Sequence, residues 1–275
     1  MDSDLNMKFD TAKNIPEIPE KIKELIEGKP FIIDEIGLSG NQVLIFDEMV
    51  LKIESCSERI KKQIQVMKWL ESKLPVPKVI AYEEENEKSY FLMSKIDGEM
   101  SCDTYYMEHS DDLLNALAEG FIMLRNVDIQ DCPRVRELDT MLAEARMRIE
   151  SDLVDLEEFE QISWGKEHFD SPQHLLRWLE YNKPDLEPVF SHGDYCLPNV
   201  FLKNGKITGF IDLDRAGVCD KWNDIAICYR SLKYNFDGTY GGKVYENFNP
   251  DKLFEVLGIE PDWEKINYYL LLDEL

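Results

Sequence analysis

The chain has 275 residues, of which 44% are hydrophobic and 11% aromatic, and its 31 Lys and Arg against 55 Asp and Glu give a formal net charge of −24. This composition excludes a disordered acidic protein, because a chain of this length and apolar content can bury a substantial core. The charge argues against nucleic acid and anionic membrane surfaces as partners, and it permits a cationic one.

The N-terminus and the cysteines point to one cellular compartment. Residues 1–4 are acidic or polar and lack the apolar segment of a signal peptide, and no stretch approaches the roughly 18 apolar residues that span a bilayer. The six cysteines form neither a C-x-x-C pair nor zinc-finger spacing with a histidine. We therefore expect a soluble cytoplasmic protein with reduced thiols. The sequence leaves its oligomeric state open.

The first third of the chain predicts a small β-rich domain. A short amphipathic helix ends the polar residues 1–30, and residues 58–74 repeat apolar side chains at helical spacing. A connector follows at 94–98, where Asp-Gly disfavours either a strand or a helix. Five strands are predicted from β-branched or apolar runs, at 31–33, 42–46, 49–53, 78–82 and 89–93.

The remainder of the chain is predicted to be mostly helical, with one hairpin. Asn204-Gly205 between two strands is typical of a type I′ turn. Asp220 and Asp224 flank Trp222 at a predicted helix start, where we expect both to act as caps. Helices are predicted at 111–128, 136–155, 174–179 and from 222 onward, and strands at 189–190, 200–202 and 207–213.

An ordered set of oxygen-bearing side chains follows the strand at 189–190. Asp194 lies in the turn Ser191-His192-Gly193-Asp194, Asn199 comes five residues later, and Asp212 ends the hairpin's second strand. Phosphoryl transfer needs a carboxylate that orients the acceptor hydroxyl and hard oxygen ligands that hold Mg²⁺ against the phosphates. The order and spacing therefore predict a kinase site, in which His192 braces the turn by hydrogen bonding.

With these motifs, nearly the whole chain after about residue 30 resembles the aminoglycoside phosphotransferases, and most closely the aminoglycoside 3′-phosphotransferases. The resemblance implies an α+β, bilobal protein-kinase-like fold with a small β-rich lobe and a larger, mainly helical lobe. Residues 1–96 would be the nucleotide-binding lobe, with 1–30 as an N-terminal extension, and residues 97–275 the catalytic and substrate-binding lobe. The segments that carry the resemblance are 69–79, 189–194, 209–213, 220–226, 261–266 and 271–275.

The resemblance also implies roles for individual residues. Asp194 would be the catalytic base, and Asn199 and Asp212 would bind Mg²⁺. For the nucleotide, ATP or GTP, Lys52 would contact the α- and β-phosphates. The other nucleotide-binding positions implied are Ser39 in the loop 37–41, and Met93 and Ser94 at the hinge.

A polycationic substrate needs carboxylates, and the sequence supplies them in two places. Residues 150–187 contain eleven acidic and three basic side chains, and by resemblance this stretch includes the substrate loop. The last residues of the chain match carboxylates that bind substrate amines, with the carboxylate on the final residue as a third anionic group. The implied substrate contacts are Glu157, Glu158, Glu160, Arg215, Asp273, Glu274 and Leu275, where Arg215 could equally form a structural ion pair.

Two departures from the family pattern leave alternatives open. Gln63 stands where the family pairs its strand lysine with a glutamate, and Val50 stands where close relatives stack an aromatic ring on adenine. The resemblance nevertheless implies phosphorylation of an aminoglycoside, with the 3′-hydroxyl as the expected acceptor and antibiotic resistance as the effect. The alternatives are a kinase of another small hydroxylated amine, such as choline or an amino sugar, and a nucleotide-binding relative with low activity.

Overall fold

The computed structural model of the chain describes residues 18–34, 42–154 and 169–275. Ser39 and the predicted substrate contacts Glu157, Glu158 and Glu160 lie outside the described residues. The chain divides into two compact units, the first ending at Asp97 and the second beginning at Gly98.

The first unit is an antiparallel sheet with two helices. Its strand β3 alternates buried and half-buried side chains, as expected for a strand with one face on the core, whereas β5 is buried at five consecutive positions. The strand order is β1-β2-β3-β5-β4, so β4 is an edge strand. Its strands are β1 Phe31–Asp34, β2 Gln42–Phe46, β3 Met49–Ser55, β4 Val79–Glu85 and β5 Lys88–Ser94, and its helices are α1 Glu20–Ile26 and α2 Glu58–Leu70. The apolar face of α1 packs with the sheet residues Leu44, Leu51 and Leu92 in one core.

Helix α2 begins and ends at identifiable signals. The Ser57 hydroxyl accepts a hydrogen bond from the Ile60 N–H at 3.4 Å, which caps the first turn. The helix ends at Leu70, four residues before the predicted end. The N–H groups of Lys73 and Leu74 both donate to the Leu70 carbonyl, which closes the last turn ahead of Pro75.

The second unit surrounds two small antiparallel sheets with helices. One sheet has the order β6-β8-β9 and the other pairs β7 with β10. Its strands are β6 Glu99–Met100, β7 Pro188–Ser191, β8 Val200–Lys203, β9 Lys206–Phe210 and β10 Gly217–Asp220. Its helices are α3 Thr104–Glu108, α4 Ser110–Arg125, α5 Leu138–Glu150, α6 Pro172–Tyr181, α7 Lys221–Phe236, α8 Lys252–Leu257 and α9 Trp263–Asp273.

The β8–β9 hairpin has the predicted turn type, but its second strand, β9, ends earlier than predicted. Asn204 and Gly205 have φ of 53° and 71°, the pair of positive values that a type I′ turn requires. The second strand was predicted to reach residue 213 and ends at Phe210. The reason is Asp212, whose φ of 59° turns the chain into a short 3₁₀ helix at Leu213–Arg215.

Two further sequence expectations concern helices and thiols. In the part of the chain that the structure describes, no helix is long and apolar enough to cross a membrane. All six cysteines lie in that part and carry free thiols.

Candidate active site

The centre of the candidate site is the turn at residues 191–194, which follows β7. Gly193 has a φ of 82°, and a Cβ at this position would lie 2.1 Å from the Arg215 carbonyl oxygen. Both the left-handed backbone and the close approach therefore require glycine. The backbone conformation at Gly193 thus limits how residues 191–194 can be arranged.

Asp224 on α7 holds this turn in place by accepting hydrogen bonds from it. Its Oδ1 accepts hydrogen bonds from the Ser191 hydroxyl and the Gly193 N–H, both at 2.9 Å, and its Oδ2 accepts from the His192 N–H at 2.7 Å. Burial raises the pKa of this carboxyl. Only one of the two predicted helix caps is correct. Asp220 caps α7 by accepting from the Trp222 N–H, whereas Asp224 faces β7 and braces the turn.

The turn is also fixed by two ring side chains. As predicted, His192 braces it, because its Nδ1 accepts a hydrogen bond from the Asp194 N–H at 3.3 Å. Its Nε2 is fully buried and has no partner within the described residues. Tyr195 donates a hydrogen bond to the Leu117 carbonyl at 2.9 Å, and its hydroxyl occupies the space above Gly120. This contact ties the turn to α4.

The structure brings Asp194 and Asn199 together. The Asn199 Nδ2 donates to the Asp194 carbonyl and to its Oδ2, both at 3.0 Å. Burial raises the pKa of Asp194, while His192 and Arg215 oppose the shift. The amide nitrogen of Asn199 thus fixes the carboxylate, and its amide oxygen is the atom that could ligate a cation.

Asp212 lies beside the same turn. The Ile211 N–H donates to the Asn199 carbonyl at 3.0 Å, which puts the residue before Asp212 against Asn199. Burial raises the pKa of the Cys196 thiol, and the charges of Asp194 and Asp212 raise it further. The three predicted oxygen donors therefore surround one short stretch of chain. Carboxylate and amide oxygens are a donor set that suits Mg²⁺.

The carboxylates of the last helix are paired with arginines. Arg215 Nη1 lies 2.5 Å from Asp273 Oδ1, Arg230 contacts Asp273 Oδ2, and Arg230 Nη1 lies 2.9 Å from Glu274 Oε1. Burial alone would raise the pKa of Asp273, but Arg230 and Arg215 lower it to about 2. The Leu275 side chain is buried beside this cluster, and its N–H donates to the Leu272 carbonyl. The two side-chain acids are thus largely neutralised within the second unit.

The predicted nucleotide-binding residues that are described lie in the sheet of the first unit. Lys52 is half-buried on β3, with Val43 and Phe91 as its cross-strand neighbours. The Ser94 N–H donates to the Lys78 carbonyl at 2.9 Å, and its hydroxyl accepts from the Lys78 N–H at 2.8 Å. The Ser94 N–H is therefore already hydrogen-bonded and is unavailable to a nucleotide base. Met93 is buried next to it on β5.

Sequence reasoning missed Asp224 as a brace and Arg230 as an ion-pair partner. Both lie on α7. The sequence predicts Asp224 to be a helix cap and gives Arg230 no role beyond that of a polar helix residue. Their partners are 31 to 44 residues away in the chain. A buried carboxylate three residues inside a helix, where a cap no longer has a function, is the one signal that could have identified Asp224.

Comparison with known proteins identifies the family of this chain. The model of the APH family, described as the phosphotransferase enzyme family, matches residues 35–265. The chain is 38% identical to an aminoglycoside 3'-phosphotransferase of Enterococcus faecalis over 269 residues, covering 94% of this chain and 98% of the relative. A relative of the same description from Staphylococcus aureus is also 38% identical, over 94% of this chain and 98% of its own length.

Solved structures extend the comparison to the fold. The crystal structure of an aminoglycoside-3'-phosphotransferase of type VIII superposes with a TM-score of 0.74 at 25% identity, covering 92% of this chain and 96% of that one. Aminoglycoside phosphotransferase APH(3'')-Id from Streptomyces rimosus, solved with ADP and streptomycin, gives 0.68 at 22% identity over 86% and 93% of the two chains. These likenesses confirm the predicted α+β, kinase-like fold class.

Proposed function

The chain belongs to the phosphotransferase enzyme family, among the aminoglycoside 3′-phosphotransferases, and from this premise we propose that it transfers the γ-phosphoryl group of ATP to the 3′-hydroxyl of an aminoglycoside antibiotic. The observation that carries the proposal is the hydrogen-bonded group of Asp194 and Asn199 on a turn that Asp224 braces. The transfer would inactivate an antibiotic, because a phosphate adds negative charge and bulk to a ligand recognised by its positive charge. We also propose the cytoplasm as the compartment, since ATP is available there.

Asp194 orients the acceptor hydroxyl and accepts its proton. The Asn199 amide occupies Oδ2 of this carboxylate, so Oδ1 is the oxygen that meets the substrate. Burial raises the pKa of Asp194, which makes its carboxylate a better proton acceptor than an exposed one. The chain forms no covalent bond to the phosphoryl group. Positioning and electrostatics supply the rate enhancement.

Asn199 and Asp212 are the residues that would hold Mg²⁺. Within the described ranges no three or more His, Cys, Asp or Glu side chains form a metal cluster. One carboxylate with one amide oxygen nevertheless suits Mg²⁺, which keeps waters and takes further oxygens from the nucleotide phosphates. When bound, the ion neutralises charge on the phosphates.

Lys52, Ser39, Met93 and Ser94 make up the proposed nucleotide site. Lys52 contacts the α- and β-phosphates as a point charge. Because the Ser94 N–H is engaged with Lys78, the base would use other backbone groups of the 93–94 segment. Gln63 is buried on α2 and can accept a hydrogen bond but cannot neutralise a lysine. ATP is the proposed donor, and GTP is the alternative to be tested beside it.

The substrate amines would meet Asp273, Glu274 and the acidic segment that includes Glu157, Glu158 and Glu160. Asp273 and Glu274 already pair with Arg215 and Arg230. An ammonium group would therefore bind the outward-facing oxygens of a paired cluster, or exchange for one of the arginines. Leu275 would contribute packing beneath this cluster.

The decisive experiment incubates the protein with Mg²⁺ and either ATP or GTP, against pairs of aminoglycosides with and without the 3′-hydroxyl, and detects phosphorylated product by mass. Only the 3′-hydroxyl members are expected to gain one phosphate. Asp194→Asn is expected to lower the rate by at least about 10³-fold, in the range of an essential acid or base. Asp131→Asn, at an exposed carboxylate of the same unit and outside residues 150–187, is the matched control and should retain full activity.

Each alternative has its own outcome in this assay. Phosphorylation of the 3′-deoxy compounds at another hydroxyl would overturn the 3′ assignment alone. Transfer to choline or a simple amino sugar, with none to aminoglycosides, would indicate a kinase of another small amine. No transfer with either nucleotide would contradict the enzymatic proposal.

A further inference from the structure

The second unit contains an apolar cavity of about 110 Å³ that is separate from the residues assigned above to nucleotide, metal and aminoglycoside. Helices α4, α7 and α8 and strand β7 form its walls. Phe121, Phe190, Ile225 and Leu257 are among the lining side chains. None of the proposed site residues lines it, so its function is not that of the phosphotransfer site.

Two basic side chains are among the residues that line the cavity. Arg125 lines it, is exposed, and forms no ion pair with another residue in the described part of the chain. Lys221 also lines it and pairs with Glu187 at 2.7 Å. Among the described lining residues the one acid is Asp224, which is almost fully buried and already accepts four hydrogen bonds. An arginine without an ion-pair partner among the described residues contrasts with the net charge of −24.

The cavity also adjoins the turn that carries Asp194. Asp224 lines the cavity and holds the backbone of residues 191–193. Phe190, in the opposite wall, directly precedes that turn. Atoms placed in the cavity would therefore pack against the residues that position the turn.

We propose that this cavity binds a small amphipathic carboxylate, with its apolar body inside and its anionic group on Arg125. An apolar cavity of about 150 Å³ takes up benzene, so a smaller space lined by the exposed Arg125 suits one aromatic ring or a short aliphatic chain whose polar end lies at this arginine. An arginine binds a carboxylate through a charge-assisted, bidentate contact. The buried Asp224 disfavours the reverse orientation, with the anion inside.

The test uses 4-phenylbutyrate as the probe and 4-phenylbutanol as its neutral analogue. Binding to the full chain is measured by titration calorimetry, without nucleotide or aminoglycoside, so the result is independent of the proposed phosphotransfer. The carboxylate is expected to bind at least about fivefold more tightly than the alcohol, the factor that corresponds to a modest ion pair. Both are expected to raise the melting temperature, because they bind only the folded state.

Three variants locate the site. Arg125→Gln should remove the preference for the carboxylate while leaving the alcohol's affinity unchanged. Val256→Phe places a ring at the half-exposed α8 side of the cavity and should abolish binding of both compounds. Arg177→Gln, at an exposed arginine on α6, is the matched control and should change nothing. Equal affinity for acid and alcohol in the unaltered protein, or binding of the acid that persists in Val256→Phe, would overturn the proposal.

Discussion

Replacing Asp224 by asparagine tests whether this residue holds the catalytic turn in place or only contributes to helix α7. The carboxylate accepts three hydrogen bonds from residues 191–193, at 2.7 to 2.9 Å. Asparagine keeps one acceptor oxygen. When its amide nitrogen replaces Oδ2, the buried His192 N–H loses its partner; in the other orientation the Gly193 N–H loses residue 224 and keeps only the Ser191 hydroxyl oxygen at 3.0 Å. A buried donor without a partner costs about 1 to 3 kcal/mol. We therefore expect Asp224→Asn to lower the free energy of unfolding by about 2 kcal/mol.

The loss of activity is expected to be larger than the loss of stability implies. The unpaired N–H moves the turn, and with it Asp194, whose own N–H bonds to His192 two residues earlier. A misplacement of about 1 Å costs about 100-fold in rate, so kcat for aminoglycoside phosphorylation should fall by about two orders of magnitude. Urea unfolding followed by circular dichroism gives the stability, and product mass against time gives kcat under conditions where the variant remains folded.

Asp220→Asn is the matched control. Asp220 is equally buried at the start of the same helix and accepts from the Trp222 N–H and the Tyr269 hydroxyl, but none of its contacts reaches the catalytic turn. This variant should lose comparable stability and retain kcat within about threefold, because the partners of its side chain, on Trp222, Tyr269 and Lys265, lie outside residues 191–194. If Asp224→Asn kept full kcat, or if both variants lost kcat equally, the assignment of Asp224 as the brace would be refuted.

Three further predictions follow from contacts in the second unit. Gly193→Ala should abolish phosphorylation, because its Cβ would lie 2.1 Å from the Arg215 carbonyl oxygen, and activity assays on folded protein would detect this. Gly120→Ala should destabilise the protein by about 1 to 3 kcal/mol in urea unfolding, since its Cβ would lie 1.9 Å from the Tyr195 hydroxyl. The pKa of Asp273 is lowered to about 2 from 3.8, so its stabilisation is complete above the unfolded value and disappears as pH falls toward 2. The unfolding free energies of the unaltered protein and of Asp273→Asn should therefore converge by about 2 kcal/mol over this range.

The glycine and acid predictions have internal controls. Gly205 has a similar positive φ of 71° but no atom within 4 Å of an added Cβ. Gly205→Ala should therefore cost about 1 kcal/mol and leave activity intact. Equal effects at Gly193 and Gly205 would contradict the steric argument. A constant difference in stability between the unaltered protein and Asp273→Asn at all pH values would contradict the ion-pair argument.

Short-range patterns in the sequence predicted the elements and the order of the oxygen donors. The β-branched runs gave all five strands of the first sheet, and Asn204-Gly205 gave the turn type of the β8–β9 hairpin, because both depend on residues adjacent in the chain. The five-residue spacing of Asp194 and Asn199 likewise brings their side chains into contact. The exact end of β9 was not predicted, since Asp212 takes a left-handed conformation that residues other than glycine seldom adopt.

What the sequence could not predict depends on contacts between distant segments. Asp224 is the brace because α7 packs on β7, more than 30 residues away in the chain. The pairing of Asp273 with Arg215 and Arg230 requires α9 to lie beside α7. The sequence therefore predicts that Asp273 and Glu274 form an unpaired anionic patch. In the structure they form ion pairs with Arg215 and Arg230.

The edge strand β4 has a consequence for the behaviour of the protein in solution. It ends the sheet order, so among the described residues no strand pairs with its outer side. It carries the acidic run Glu83-Glu84-Glu85, in which Glu83 and Glu84 pair with Lys21 and Lys61. Two copies that paired edge to edge would bring these like charges together, and such contacts oppose sheet-mediated self-association. Replacing the three glutamates by glutamine would remove this protection, so aggregation of that variant is expected to begin at this strand.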